Sequence, residues 1–63
     1  MSSVDFIILR GREKATISAQ SHSAQRYLKR LFCTFDNNLV VDVEYVSEIE
    51  ERLQNEGWVV SVR

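Results

Sequence analysis

The sequence predicts an α+β domain, with the element order β-β-α-β-α-β, in which two helices pack on one face of a mixed four-stranded sheet. Apolar residues alternate or run continuously in four segments, as they do in strands. In two other segments they recur every three to four positions, as they do in helices. The closing strand-helix-strand order favours strands that run in the same direction, joined by a right-handed crossover.

The first two strands form a predicted hairpin. Val4 to Leu9 is apolar apart from Asp5, which indicates a central strand buried on both faces. Lys14 to Ala19 alternates, which indicates an edge or half-exposed strand. The four residues from Arg10 to Glu13 join them, and Gly11 supplies the residue that a short loop commonly needs for positive φ.

The first helix begins near Ser23, where the apolar period changes to 3.6. Its N-cap is Ser21 or Ser23. Its apolar stripe consists of Ala24, Tyr27, Leu28, Leu31 and Phe32. Beyond it, Cys33 to Phe35 is ambiguous, with Phe35 expected to fold back onto the core.

The third strand and second helix follow a turn at Asp36-Asn37-Asn38. Leu39 to Val43 is the predicted strand. Ser47 and Glu50 have the spacing of a capping box, which predicts the start of a helix with Val46, Ile49 and Leu53 as its apolar stripe.

The second helix ends in a predicted Schellman motif. Gly57 suits the left-handed C′ position, and this places Leu53 and Trp58 in contact as C3 and C″. Trp58 is therefore expected to be a structural clamp. Trp58 to Val62 then forms the last strand.

The chain, residues 1–63, is expected to be a single domain without catalytic machinery. A domain of this size buries only about 60% of the surface of its unfolded chain. One cysteine and one histidine supply neither a disulfide nor a zinc site, so no metal or cofactor is expected. Of the usual ways to stabilise so small a domain, association with a partner subunit is then the one that is left. His22 is interpreted as a solvated residue at a helix start, and Cys33 as a small buried hydrophobe. We expect a cytoplasmic protein with neither a membrane span nor a small-molecule substrate.

Charge is distributed unevenly along the chain. Residues 1–33 carry six basic and two acidic residues, whereas residues 34–63 carry two basic and seven acidic residues. The basic residues of the first half form a candidate patch for nucleic acid or an acidic partner if hairpin and helix lie side by side. These residues are Arg10, Arg12, Lys14, Arg26, Lys29 and Arg30.

The face of the sheet opposite the helices is a second candidate surface. It is predicted to carry Ile7, Leu9, Val40 and Val59, with no element left to cover them. Exposed aliphatic clusters of this kind usually mark contact sites, so this face is a candidate dimer or partner interface. Alternatively, Asp5, Lys14 and Asp42 shield a face that is only half apolar.

The segment from Asn38 to Ile49, followed by an acidic helix and Asn55-Glu56-Gly57, resembles a family of small uncharacterised bacteriophage and mobile-element proteins. In that family a valine-rich strand leads through a tyrosine into a short acidic helix. The resemblance implies no activity and no site residues. It favours a phage or bacterial accessory protein that acts by binding host or phage machinery.

These observations together predict a small non-enzymatic protein-interaction module that forms a homodimer or binds a host protein. The alternative is a nucleic-acid-binding accessory protein that uses the basic hairpin and first helix.

Overall fold

The computed structural model describes residues 4–32 and 38–63. Its elements follow the predicted order, with a 3-10 turn at Val43–Tyr45 directly before the second helix. They are β1 (Phe6–Arg10), β2 (Lys14–Ala19), α1 (His22–Phe32), β3 (Asn38–Asp42), α2 (Val46–Asn55) and β4 (Val60–Val62). The predicted α+β class and the mixed four-stranded sheet are confirmed.

The sheet has the strand order β3-β2-β1-β4. β2 pairs antiparallel with both β1 and β3, while β4 pairs parallel with β1. β3 and β4 therefore run in the same direction, as predicted, but they lie at opposite edges with the hairpin between them. Of the two alternatives for β2, the half-exposed strand is confirmed and the edge strand is not: one face of β2 is buried, the other is partly exposed, and a strand pairs with it on each side. Alternation reports that one face is solvated and carries no information about neighbours within the sheet.

Both helices pack on the same face of the sheet, as predicted. The register places Phe6 opposite Ala19 and Ile8 opposite Ile17, so these side chains share one face. Each of them belongs to one buried cluster with residues of both helices. The helical members are Ala24, Leu28, Val46 and Leu53. The opposite face of the sheet has no helix against it within the described residues.

α1 is capped by Ser21, the first of the two predicted candidates. The Ser21 hydroxyl accepts a hydrogen bond from the Ala24 amide at 3.1 Å, which satisfies one amide of the first turn. Tyr27 extends from α1 onto Phe6 and Trp58, with ring centroids 6.3 and 5.2 Å away. Phe6 and Trp58 also meet edge to face at 5.4 Å. These three rings join α1 to the sheet and to the end of α2.

The start of α2 differs from the predicted capping box. The helix begins at Val46, and its N-cap, Tyr45, makes no side-chain capping hydrogen bond. Ser47 therefore lies inside the first turn. The chain already turns helically from Val43, which brings Val46 into the core at 2% exposure, so the 3-10 turn replaces the serine cap.

The end of α2 matches the predicted Schellman motif. Gly57 has φ of 92°, the Trp58 amide donates to the Leu53 carbonyl at 3.0 Å, and the Gly57 amide donates to the Gln54 carbonyl at 3.0 Å. The motif turns the chain so that Trp58 reaches the core and β4 can follow.

Gly11 has a different role from the predicted one. Its φ is not positive, since Gly57 is the positive-φ glycine of the two. Its amide donates to the Lys14 carbonyl at 2.9 Å, and an added Cβ would lie 2.6 Å from that carbonyl oxygen. Close backbone approach, rather than left-handed backbone, requires glycine there.

The predictions for Cys33, Phe35 and the Asp36-Asn37 turn lie outside the described residues.

Candidate interaction surfaces

The sheet face without helices is called the open face here. Strand alternation and register assign nine strand residues to it. They are Ile7, Leu9, Lys14, Thr16, Ser18, Asn38, Val40, Asp42 and Ser61. Val59, which immediately precedes β4 and alternates with the core residue Val60, extends this face. Leu9, Val40 and Val59 are 50%, 62% and 48% exposed, whereas Ile7 is partly buried.

The aliphatic side chains of the open face follow the register of three strands. Thr16 lies opposite both Leu9 and Val40, so the three residues form one row across β1, β2 and β3. Ile7 belongs to the next row, between Ser18 and Ser61. Small hydroxyl side chains thus separate the aliphatic ones, and the face is mixed rather than continuously apolar.

The charges of the open face are balanced. Lys14 and Asp42 lie opposite each other on β2 and β3 and form an ion pair. The hydrogen bond that the Lys14 ammonium donates to the Asp42 carboxylate, and the negative charge of that carboxylate, raise the pKa of Lys14 above its usual value. Two rows further along the face, beyond the Thr16–Val40 pair, the Ser18 hydroxyl donates to the Asn38 side-chain oxygen at 2.8 Å. The face therefore presents one charge of each sign on its strands, at one end.

Val59 is held beside Asp5 at the other end of β1. The Val59 amide donates to an Asp5 carboxylate oxygen at 3.1 Å, and the Asp5 and Phe6 amides both donate to the Val59 carbonyl. These bonds occupy the Asp5 carboxylate locally. Asp5 thus orients the backbone of Val59, and the Val59 side chain stays exposed.

The six basic candidates do not share one side of the sheet. Lys14 lies on the open face with Asp42, whereas α1 covers the other face. Arg26 and Arg30 lie together on α1, where both line a cleft that also contains Trp58. Arg10 and Arg12 lie exposed at the hairpin end, and Lys29 is exposed on α1.

That cleft on α1 has a volume of about 450 Å³ and is called the α1 cleft. Its lining consists of Ser23, Arg26, Tyr27, Arg30 and Trp58. Ser23, Arg26 and Arg30 are spaced three and four residues apart, which places them on one face of the helix. Among the described residues, the lining contains two guanidinium groups and no carboxylate.

A neighbouring cleft of about 340 Å³ shares Tyr27 and Arg30 with the α1 cleft and adds Arg52 and Glu56 from the end of α2. The Tyr27 hydroxyl is buried and meets no partner in strict hydrogen-bond geometry among the described residues. Burial raises the pKa of Tyr27, and nearby Glu56 raises it further, while Arg52 acts in the opposite direction. Arg52 and Glu56 thus offset each other's charge beside this hydroxyl.

Sequence reasoning missed the α1 cleft. The sequence predicted Trp58 to be a structural clamp, and its contacts with Phe6 and Tyr27 agree with that role. Trp58 also shares a cleft with Arg26 and Arg30, and this depends on how α1 crosses the sheet. The available signal was local. Arg26, Tyr27 and Arg30 fall on adjacent positions of one helix surface, where two like charges four residues apart are unfavourable without an anion.

Within the described ranges, no group of three or more histidine, cysteine, aspartate or glutamate side chains is placed to hold a metal ion. In the same ranges, neither helix has the length and apolarity needed to cross a membrane.

No family model matches the chain, and no curated protein or solved structure is significantly similar to it. The resemblance to small bacteriophage and mobile-element proteins therefore stays a prediction.

Proposed function

We propose that the protein is a non-catalytic protein-interaction module of the cytoplasm that forms a homodimer through its open face. The observation that carries this proposal is the exposure of Leu9, Val40 and Val59 on one side of a sheet whose other side holds both helices. Burying these side chains against a second protein surface would remove apolar area from water, which favours association.

The charges of the open face favour a second copy as the partner. In a two-fold symmetric interface contacts are reciprocal. If one residue of the first copy contacts a different residue of the second copy, the same pair also meets with the two copies exchanged. A face that carries Lys14 beside Asp42 can therefore match its own copy, with each lysine near the partner's aspartate. An acidic or basic partner would match only one of the two charges.

The small side chains on the open face favour sheet-on-sheet packing. Thr16, Ser18 and Ser61 are small, and they separate Leu9, Val40 and Ile7, so two such faces can interdigitate at the spacing of roughly 10 Å found between stacked sheets. The row formed by Leu9, Thr16 and Val40 contains no long side chain that would have to move for the two faces to meet.

The size of the face predicts a weak dimer. Four strands of about five residues measure roughly 19 by 17 Å. A standard interface buries about 800 Å² per partner. That is roughly a sixth of the 4621 Å² of surface that this chain exposes, and more than the strands alone supply. We therefore expect micromolar rather than nanomolar affinity.

Sedimentation equilibrium of the wild type against a double variant tests the proposal. Leu9→Lys with Val40→Lys places two like charges in the middle of the face and should abolish self-association. Both positions are exposed, so folding should be retained. Gln54→Lys with Asn55→Lys adds the same charge on the exposed end of α2 and should leave the dimer intact. A wild type that stays monomeric at high micromolar concentration contradicts the proposal, as does a control variant that dissociates equally.

A second candidate function is nucleic-acid binding, and the shared helix face of Arg26 and Arg30 supports it. Phosphate contacts weaken steeply with salt, so a salt titration of DNA and RNA binding is the test. Loss of binding in Arg26→Gln with Arg30→Gln would support this function, whereas absence of binding at low salt would reject it.

The resemblance to bacteriophage and mobile-element proteins extends the proposal to the biological context, in which the dimer would act as an accessory protein on phage or host machinery. Affinity capture of the wild type and of the Leu9→Lys, Val40→Lys variant from a bacterial extract tests this extension. Proteins of phage or host machinery that bind the wild type and are lost from the dimer-deficient variant would support it. Their absence from the wild-type capture, or equal binding to the two forms, would contradict it.

A further inference from the structure

We propose that the α1 cleft binds a nucleoside monophosphate, with the phosphate held by Arg26 and Arg30 and the base placed against Trp58. This site lies on the helical side of the protein and is independent of the open face. It also differs from a nucleic-acid surface, because its occupant is one small molecule.

The charge of the cleft indicates an anionic ligand. Arg26 and Arg30 lie one helical turn apart, about 6 Å along the axis, and no acid lines the cleft in the described ranges 4–32 and 38–63. Guanidinium groups bind phosphate oxygens through paired hydrogen bonds that are stronger than neutral ones. Ser23, one turn before Arg26 on the same helix face, adds a hydroxyl that can donate to the same phosphate.

The aromatic side of the cleft indicates that the ligand carries a ring. Trp58 is partly exposed and is held by contacts with Phe6 at 5.4 Å and with Tyr27 at 5.2 Å between ring centroids. A ring held in this way is a rigid platform, and nucleic acid bases stack on such platforms irrespective of base identity. The cleft therefore combines the two groups that a nucleotide requires.

The volume of the cleft is sufficient for a nucleoside monophosphate. About 450 Å³ lies within the range of roughly 300–1,000 Å³ that is typical of small-molecule sites. In the neighbouring cleft, Glu56 would repel a second phosphate, although Arg52 offsets part of its charge. A chain of phosphates running from Arg26 towards α2 is therefore less favourable than a single phosphate.

Titration of the full chain with adenosine monophosphate tests the site, with adenosine and inorganic phosphate as separate arms. Trp58 is the only tryptophan, so its indole N–H gives one NMR signal that reports the cleft directly. We expect a saturable shift with adenosine monophosphate and at least about tenfold weaker binding of either part, since each part loses one set of contacts. Equal affinity for inorganic phosphate would overturn the proposal.

Three variants distinguish the site from general charge attraction. Arg26→Gln and Arg30→Gln should each weaken binding of adenosine monophosphate about tenfold, the effect of losing one charge-assisted hydrogen-bonding group. Lys29→Gln removes the same charge from α1 at a position outside the cleft lining, so it should leave affinity within about twofold.

The proposal is overturned if no saturable shift occurs up to millimolar ligand or if Lys29→Gln weakens binding as much as the arginine variants do. It is also overturned if single-stranded DNA binds through Arg26 and Arg30 while adenosine monophosphate does not. The Leu9→Lys, Val40→Lys variant should bind adenosine monophosphate with wild-type affinity, which separates a failure of this site from a failure of the dimer.

Discussion

Lys14 pairs with Asp42 across the β2–β3 ladder, on the sheet face that carries no helix in the described part of the chain. Both side chains are largely exposed, at 63% and 46%, so the pair contributes little to the stability of the monomer. Its significance lies in symmetry. It gives the open face one positive and one negative charge, which a second copy can match.

Reversing these charges one at a time or together should therefore affect the dimer differently. Lys14→Asp leaves two acids on each face and should weaken self-association, because like charges then meet across the two-fold axis. Lys14→Asp combined with Asp42→Lys restores one charge of each sign and should restore association. Sedimentation equilibrium at low salt measures both. Equal weakening in the single and double variants would show that the pair has no role between copies.

The same substitution on the two sides of the sheet should have very different effects on folding. Leu28, on the buried side of α1, is fully buried, and Leu28→Ala should lower the free energy of unfolding by about 2–5 kcal/mol. Leu9 is 50% exposed on the open face, and Leu9→Ala should cost well under about 1 kcal/mol in the monomer. Urea denaturation at low protein concentration measures both. Similar losses for the two variants would contradict the assignment of both helices to one face.

Tyr27→Phe should leave stability at neutral pH unchanged or slightly higher, because it removes a buried hydroxyl that lacks a well-formed hydrogen bond. The effect at alkaline pH follows from the raised pKa of Tyr27. The folded state favours the neutral form of Tyr27, and this preference contributes to the stability of the wild type. The contribution is fully present below about pH 10, the pKa of an unfolded tyrosine. It is lost as pH rises through the folded-state pKa.

Thermal unfolding between neutral and strongly alkaline pH tests this prediction. The wild type should lose more stability than Tyr27→Phe across that range. Tyr45→Phe, which changes a tyrosine that is 48% exposed, is the matched control and should follow the wild type. A steep alkaline loss that persists unchanged in Tyr27→Phe would show that other groups cause it.

Gly57→Ala should destabilise the protein by about 1 kcal/mol through the backbone alone. The residue has φ of 92°, and an added Cβ would meet nothing within 4 Å, so steric contact adds nothing. Gly57→Asn should cost less, because asparagine tolerates the left-handed region better than alanine does. Chemical denaturation of both variants provides the comparison. Equal losses would indicate a cause other than backbone conformation.

Local sequence signals predicted the fold where one residue type and one spacing determine the geometry. Gly57, with Leu53 before it and Trp58 after it, predicted the Schellman motif because few residues other than glycine fit a left-handed C′ position. Ser21, one of the two candidate N-caps, marks the start of α1 for a similar local reason. Both motifs depend on neighbours within about six residues, and packing elsewhere in the fold does not override them.

Long-range packing determines the features of the fold that local sequence signals did not predict. Ser47 and Glu50 have the spacing of a capping box, yet burial of Val46 starts the helix earlier. The alternation of β2 correctly predicted one solvated face but not the pairing with β3 on its far side. Likewise, the separation of Lys14 from Arg26 and Arg30 follows from the sheet lying between them, which no linear spacing encodes.

Intermolecular NOEs between isotope-labelled and unlabelled copies of the protein measure the proposed contact most directly. At high micromolar concentration, the methyl groups of Leu9 and Val40 should show NOEs to the open face of the second copy, and dilution should remove them. The buried methyl groups of Leu28 and Leu53 should show none. Intermolecular NOEs confined to α1 and α2, or none at any concentration, would contradict association through the open face.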